Sequence, residues 1–324
     1  MTLSLAQAVR DGLKEGEMVI PFMRYRMAFR VTSPVTLPEY SGSAIRGAFG
    51  RSLRRVCCMT HQNNCKSCPL YRSCPYTMIF ETPPPMEHPL QAFSQIPNAY
   101  VIEPPTWGSR NYGVGEELSF HVVLCGRAIG YLSLVVYAMQ KAFEFNIGKG
   151  NAELTGVFSV TEDGEKFIYD QQCERILPHG KATAITIPDT DSLAISVQTP
   201  LRIQINGSML GPDNFSVHTL MMALVRRVAL LHEFQCSESL ELDFQNLAER
   251  SHMVKAEMDL QLRDWIRYSS RQQNRMHLGG VVGTILLTNL PREIVALWKI
   301  AEYSHVGKNA TFGLGKVAIS TVRQ

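Results

Sequence analysis

Five of the eight cysteines, Cys57, Cys58, Cys65, Cys68 and Cys74, crowd into one short segment with His61 among them. Taken from Cys58, the spacing is C-x6-C-x2-C-x5-C. Two thiolates two residues apart can grip one metal ion, and a compact loop can bring two more around it. Zinc is the first expectation, because a structural zinc asks for nothing beyond four such ligands, although the spacing also suits an iron–sulfur cluster. Cys65, Cys68 and Cys74 form the constant part of the set; Cys57, Cys58 or His61 completes it. A closed four-ligand site leaves no position for substrate, so the expected role is structural. Cys125, Cys173 and Cys236 sit in strand-like or helix-like contexts and read as core residues.

A second stretch able to do chemistry runs from Ser304 to Lys316 and holds Gly307, Gly313 and Gly315 with two lysines, Lys308 and Lys316. Glycines permit close backbone approach, so amide N–H groups could meet phosphate oxygens while the lysines supply charge. The order is not that of a nucleotide-binding P-loop. His305, at the mouth of the loop, is the best-placed imidazole for proton transfer near neutral pH. Its other reading is a C-terminal cap on the helix before it.

Charge is segregated rather than large. The net charge is +3 and the pI near 8.4, yet no acidic residue lies between Glu39 and Glu81, where Arg46, Arg51, Arg54, Arg55, Lys66 and Arg72 occur. Arg263, Arg267, Arg271 and Arg275 form a second basic stretch, and Lys308 to Lys316 a third. Separate basic patches on a nearly neutral chain point to a polyanion, RNA or DNA, bound at a defined place. Met1 to Val19 reads as a short amphipathic helix without the layout of a secretion signal. No apolar run reaches the roughly 18–20 residues that span a bilayer, so the expectation is a cytoplasmic protein with no membrane partner. In that reducing compartment the cysteines are not expected to form disulfides.

The elements that must position these residues repeat. In the second half, Ser192–Ile205 alternates as a strand, and Asn214–Phe234 has helical spacing. Met258–Tyr268 and Val281–Thr288 read as strands joined by a polar basic turn, Pro291 opens a helix, and Lys316–Val322 closes the unit. The first half has a strand at Val19–Val31. A helix follows, capped by Ser41 or Ser43 and running to Val56, with Ile45, Ala48, Phe49, Leu53 and Val56 inward. Strands at Ala99–Ile102 and Leu118–Leu124, a helix at Tyr131–Phe145 and a hairpin over Gly156–Tyr169 turning at Asp163-Gly164 complete it. The polar stretch Pro178–Asp191 reads as the linker. The fold class expected is α+β, with two tandem ferredoxin-like βαββαβ domains. They span residues 1–185, with a cysteine-rich metal-binding insertion at 57–80, and 186–324, with the glycine-rich loop at 304–316.

This combination resembles the RAMP superfamily of CRISPR proteins, and within it the endoribonucleases that process precursor crRNA, in a form with a cysteine-rich insertion in the first domain. Three blocks carry the resemblance: Ser43 to Gly50 continuing through Arg54; the cysteine segment ending Cys74-Pro75-Tyr76; and Arg267 to Arg271 with Gly279-Gly280, continuing to His305–Lys308 and Phe312–Gly315. It implies cleavage of CRISPR repeat RNA without a catalytic metal. The 2′-hydroxyl before the break attacks phosphorus, leaving a 2′,3′-cyclic phosphate. Family members often carry a histidine base near the first helix, and Tyr40 to Val56 contains none. The catalytic candidates are therefore His305, Tyr40 for proton shuttling, Arg46 for phosphate and Lys308 at the phosphorane, with His277 a weaker imidazole. Arg51, Arg54, Arg55, Arg267, Arg271, Arg275, Lys316 and the loop glycines are the RNA-binding set. Expected partners are CRISPR repeat RNA or mature crRNA, with other CRISPR effector subunits as further ones. Two rival readings are a non-cleaving RAMP subunit that only binds guide RNA, and an iron–sulfur redox or DNA-repair protein built on the cysteines.

Overall fold

The computed structural model describes residues 16–87, 96–236, 244–269 and 274–322. The chain divides into two compact units, Pro21–Thr183 with Glu233–Ser237, and Met1–Ile20 with Ala184–His232 and Glu238–Gln324. Each contains a βαββαβ core.

In the first unit the core elements are β1 (Phe22–Ser33), α1 (Gly42–Cys57), α2 (Pro75–Phe80), β2 (Tyr100–Glu103), β3 (Glu117–Cys125), α3 (Leu132–Phe145), β4 (Asn151–Thr161) and β5 (Gly164–Phe167). The sheet order is β2-β3-β1-β4-β5, antiparallel throughout. The first four strands have the ferredoxin-like order, and β5 adds a hairpin at the edge. Alternation in β1 explains its burial: Tyr25, Met27, Phe29 and Val31 face the core, while Arg24, Arg26 and Arg30 alternate with them. α1 covers that face with Ile45, Ala48, Phe49 and Leu53. α3 adds Phe143, whose ring stacks on Phe29 at 4.2 Å. On the other face, Glu103 is buried and pairs with Arg24 at 3.1 Å.

The second unit contains β6 (Leu193–Leu201), α4 (Val217–Cys236), α5 (Phe244–Ser251), β7 (Lys255–Arg263), β8 (Ile266–Ser269), β9 (Asn274–His277), β10 (Gly280–Thr288), α6 (Arg292–Ser304) and β11 (Val317–Thr321). Its sheet order, β7-β10-β6-β11, repeats the first. Ile195 sits opposite Ile285 and Ile319 at the centre. Trp298 is fully buried on α6 with Ile294, Leu297 and Ala301.

Several local expectations change. Glu17–Ile20 is a strand, paired with Thr183–Thr186; the rest of the expected N-terminal helix lies outside the described residues. The stretch read as a linker is thus partly sheet, and Thr183 is buried with its hydroxyl donating to the Phe22 carbonyl at 2.7 Å. Ser41 is the N-cap of α1, but its backbone is helical and its side chain makes no capping bond; Ser43 lies inside the helix. Val56 is 37% exposed, because the core ends at Leu53. The β4–β5 turn is Glu162-Asp163, with Gly164 at φ 123 opening β5. The basic turn between β7 and β10 holds a hairpin of its own, β8–β9. Cys173 is exposed in a turn rather than in the core, whereas Cys125 is buried.

Candidate functional site

The glycine-rich loop is tied backbone to backbone onto the end of β6. Val306 N–H donates to the Gly315 carbonyl at 3.0 Å, Gly315 N–H to Pro200 at 3.0 Å, and Lys308 N–H to Arg202 at 2.8 Å. Lys316 N–H donates to Thr199 Oγ1 at 2.8 Å, and that hydroxyl donates to the Gly313 carbonyl at 2.7 Å. Ala310–Phe312 forms a short 3-10 turn closed by Gly313 N–H to Ala310. The amides of Gly313, Gly315 and Lys316 are engaged inside the protein, so the expected contact of these groups with phosphate is not what the glycines provide. Their reason is steric. At Gly315, φ is +69 and a Cβ would lie 1.8 Å from the Val306 carbonyl oxygen; at Gly307 it would lie 2.5 Å from that of Arg202.

His305 is the cap, not the base. Its φ is 57, its N–H closes α6 on the Ala301 carbonyl at 2.9 Å, and Nδ1 stands 3.1 Å from the Leu314 carbonyl. It is 0% exposed. A proton acceptor for an RNA hydroxyl must come within hydrogen-bond reach of it, and this ring is enclosed by its own loop. Lys308 answers its expectation better: it is exposed, on a loop held by backbone bonds, with Nζ donating to Gln204. Lys316 is half-buried.

Sequence reasoning missed Arg202. This buried residue donates to the Gly279 carbonyl through a guanidinium N–H at 2.5 Å, while its own carbonyl receives Lys308 N–H. It therefore holds the Gly279-Gly280 segment and the glycine loop to one strand end. Burial pulls its guanidinium below the ordinary value and Asp264 opposes this. Its partner Gly279 is 77 residues away, which no local pattern reveals. Arg227 was also unmarked; it donates to the Ser304 carbonyl at 3.1 Å, at the C-terminal end of α6.

In the first unit, Tyr40 is 2% exposed with its ring 4.7 Å from that of Trp107. Burial, with the Glu103 charge adding to it, pushes its phenol far above the usual range. A proton shuttle at neutral pH is excluded by that enclosure. Arg46 lays its guanidinium over the Phe80 ring at 4.2 Å. It also opposes the burial that pushes the Tyr100 phenol up to about 12. Of the outward set on α1, Arg51 and Arg55 are exposed, and Arg55 lies over Phe145 at 3.9 Å. Arg54 departs from the set, donating to the carbonyls of Gln62 at 2.6 Å and Asn63 at 3.0 Å. It anchors the cysteine segment. Arg267 and Arg275 lie on β8 and β9, opposite Met276 and Tyr268 in the register. Their side chains and that of His277 lie outside the described residues, as does Arg271 entirely.

The cysteines gather at the ends of elements. Cys58 is the C-cap of α1, Cys65 opens and Cys68 closes a 3-10 turn, and Cys74 is the N-cap of α2. These four line one cavity with Arg54, Thr60, Tyr71 and Tyr76; Cys57 and His61 do not line it. All are free thiols. Among the described residues no group of three or more His, Cys, Asp or Glu is already gathered to hold a metal ion; the four thiols share a cavity wall instead. No described helix is long and apolar enough to cross a membrane.

Residues 195–317, which carry β6, the hairpins and the glycine loop, match the family model of the CRISPR-associated endoribonuclease Cas6. This part of the chain is a Cas6-family domain. Residues 20–181 match an N-terminal-domain family, AF_1859_N. Among solved structures, a Cas6 product complex aligns with TM-score 0.55 and 13% identity over 92% of this chain and 99% of that one. Thermus thermophilus Cas6 aligns at 0.52 and 13% over 94% and 99%. A partial Cas6-RT-Cas1–Cas2 complex aligns at 0.55 and 13% over 94% of this chain, which spans only 46% of that one. At such identities these likenesses establish the fold. No curated protein matches.

Proposed function

We propose that this chain cuts CRISPR repeat RNA within precursor transcripts to release guide RNAs. The 2′-hydroxyl upstream of the break attacks phosphorus, the P–O5′ bond breaks, and the 5′-oxygen leaves as a hydroxyl after gaining a proton. The products are a 2′,3′-cyclic phosphate and a free 5′-hydroxyl, and no metal takes part. The observation that carries the reading is the Cas6 match over the unit that contains the glycine loop. Lys308 supports it as the cation for the charge that grows on phosphorus, because its backbone is pinned and its amine is exposed. Arg51 and Arg55, with the arginines of β8 and β9, would bind the phosphates of a repeat hairpin, whose deep groove is read by shape and backbone. Partners of this reading are the repeat RNA, the mature crRNA and other CRISPR proteins, as in the Cas6-RT-Cas1–Cas2 complex.

The test is incubation of the purified chain, in EDTA, with the repeat RNA of its own genomic array and with the same RNA carrying a single 2′-deoxy substitution at the cut. Cleavage of the first alone is expected. Cleavage of both would overturn the 2′-hydroxyl mechanism. A second reading, a subunit that binds guide RNA without cutting it, is favoured by the enclosure of both His305 and Tyr40. Tight binding with the RNA left whole would select it.

A further inference from the structure

We propose that Cys58, Cys65, Cys68 and Cys74 hold one zinc ion, and that this ion, rather than a hydrophobic core, fixes the segment between α1 and α2. Between Leu53 and Tyr76 no side chain is fully buried. The regular structure inside this stretch, beyond the end of α1, is a single 3-10 turn, Cys65–Ser67. Cys65 and Cys74 pack only partly against the neighbouring core, and a segment this long with no fully buried side chain gains from another staple. Four thiols reach one cavity from three elements: the end of α1, both ends of the 3-10 turn, and the start of α2. The Cys65 to Cys68 turn, closed by Cys68 N–H on the Cys65 carbonyl at 3.1 Å, is the two-residue knuckle by which a pair of thiolates grips an ion.

The surroundings suit such a centre. Four thiolates around a divalent cation carry a net charge of −2, and the Arg54 side chain lines the same cavity. The Thr60 hydroxyl stands 3.2 Å from Cys68 Sγ, where it can donate to a ligand sulfur and orient it. The cavity lining favours Cys58 as the fourth ligand: Cys58 lines the cavity with the other three, whereas Cys57 and His61 do not.

The test uses the full chain, purified without a metal column. Elemental analysis should find one zinc per chain in the wild type, in Cys57→Ser and in His61→Ala, and none in the double variant C65S/C68S. Because that variant could fail to fold, cobalt replacement in the wild type gives a second readout. It should show the d–d bands of a tetrahedral ion and thiolate-to-cobalt charge transfer at the strength of four sulfurs, lowered by a quarter in Cys58→Ser and unchanged in Cys57→Ser. Zinc should also protect four thiols of the wild type from a disulfide reagent. A wild type that neither contains zinc nor takes up zinc or cobalt would overturn the proposal. So would the brown colour and broad visible absorption of an iron–sulfur cluster.

Discussion

The glycine loop of the second unit and the cysteine segment of the first are both irregular stretches beside a helix end, but they are held by opposite means. The glycine loop is closed by main-chain hydrogen bonds, with His305 sealed inside and glycine wherever two backbones cross. The cysteine segment has main-chain bonds only within its own short turns, such as Cys68 N–H on Cys65 and Cys74 N–H on Leu70, and side chains tie these turns together: Arg54 on two carbonyls, Asn64 on the Lys66 amide, Thr77 on the Tyr71 carbonyl. A backbone-tied loop presents a stiff platform on which a single lysine has a defined place. A side-chain-tied segment has no such stiffness of its own, and brings its polarisable groups to one cavity.

The strongest way to break this contrast is at Gly315. Gly315→Ala should cost about 4 kcal/mol of stability in chemical denaturation, because the left-handed backbone and displacement of the Val306 carbonyl add together. Gly207→Ala, also at positive φ but with open space around it, should cost only about 1 kcal/mol. Equal costs would show that the loop is not a main-chain lock. The next effect belongs to the first unit. The Tyr100 phenol is raised from 10.0 to about 12, chiefly by burial, so its contribution is fully present below pH 10 and lost as pH rises through 12. That two-unit shift corresponds to about 3 kcal/mol. Tyr100→Phe should flatten the alkaline part of the stability profile, and an unchanged profile would place the loss elsewhere.

The sheets were legible in the sequence because alternation such as Tyr25, Met27, Phe29, Val31 against Arg24, Arg26, Arg30 is a local signal, and so was the tandem βαββαβ order. The clustering of Cys58, Cys65, Cys68 and Cys74 was also legible, since a short loop leaves few places for closely spaced thiols to go. The roles at the candidate site were not. Reading His305 as a base required its exposure, which depends on the Leu314 carbonyl folding back over it. Arg54 and Arg51 look alike on a helix wheel and differ only in that one reaches the Gln62 and Asn63 carbonyls. Arg202 acts through Gly279, and pattern carries no information over that separation.

His305→Ala tests the assignment that changed most. Loss of a buried hydrogen bond at the cap should destabilise the second unit by about 2 kcal/mol. The pH dependence of RNA cleavage should keep its shape. A variant with unchanged stability and a lost neutral-pH inflection would restore His305 as the base.

The smallest effect is the sharpest test of the comparison. Lys308→Ala removes an exposed amine from a loop whose backbone bonds stay in place, so stability should hold while repeat-RNA affinity falls about tenfold. The slope of log affinity against log salt should shrink by about one, as for one lost phosphate contact. Arg54→Ala removes an equal charge from the other region, yet its guanidinium is engaged with the Gln62 and Asn63 carbonyls. It should leave the salt slope unchanged and speed proteolysis between Met59 and Ser73. If both variants lost one unit of slope, the cysteine segment would be part of the RNA surface, and the division of labour between a rigid binding loop and a stapled structural one would fall.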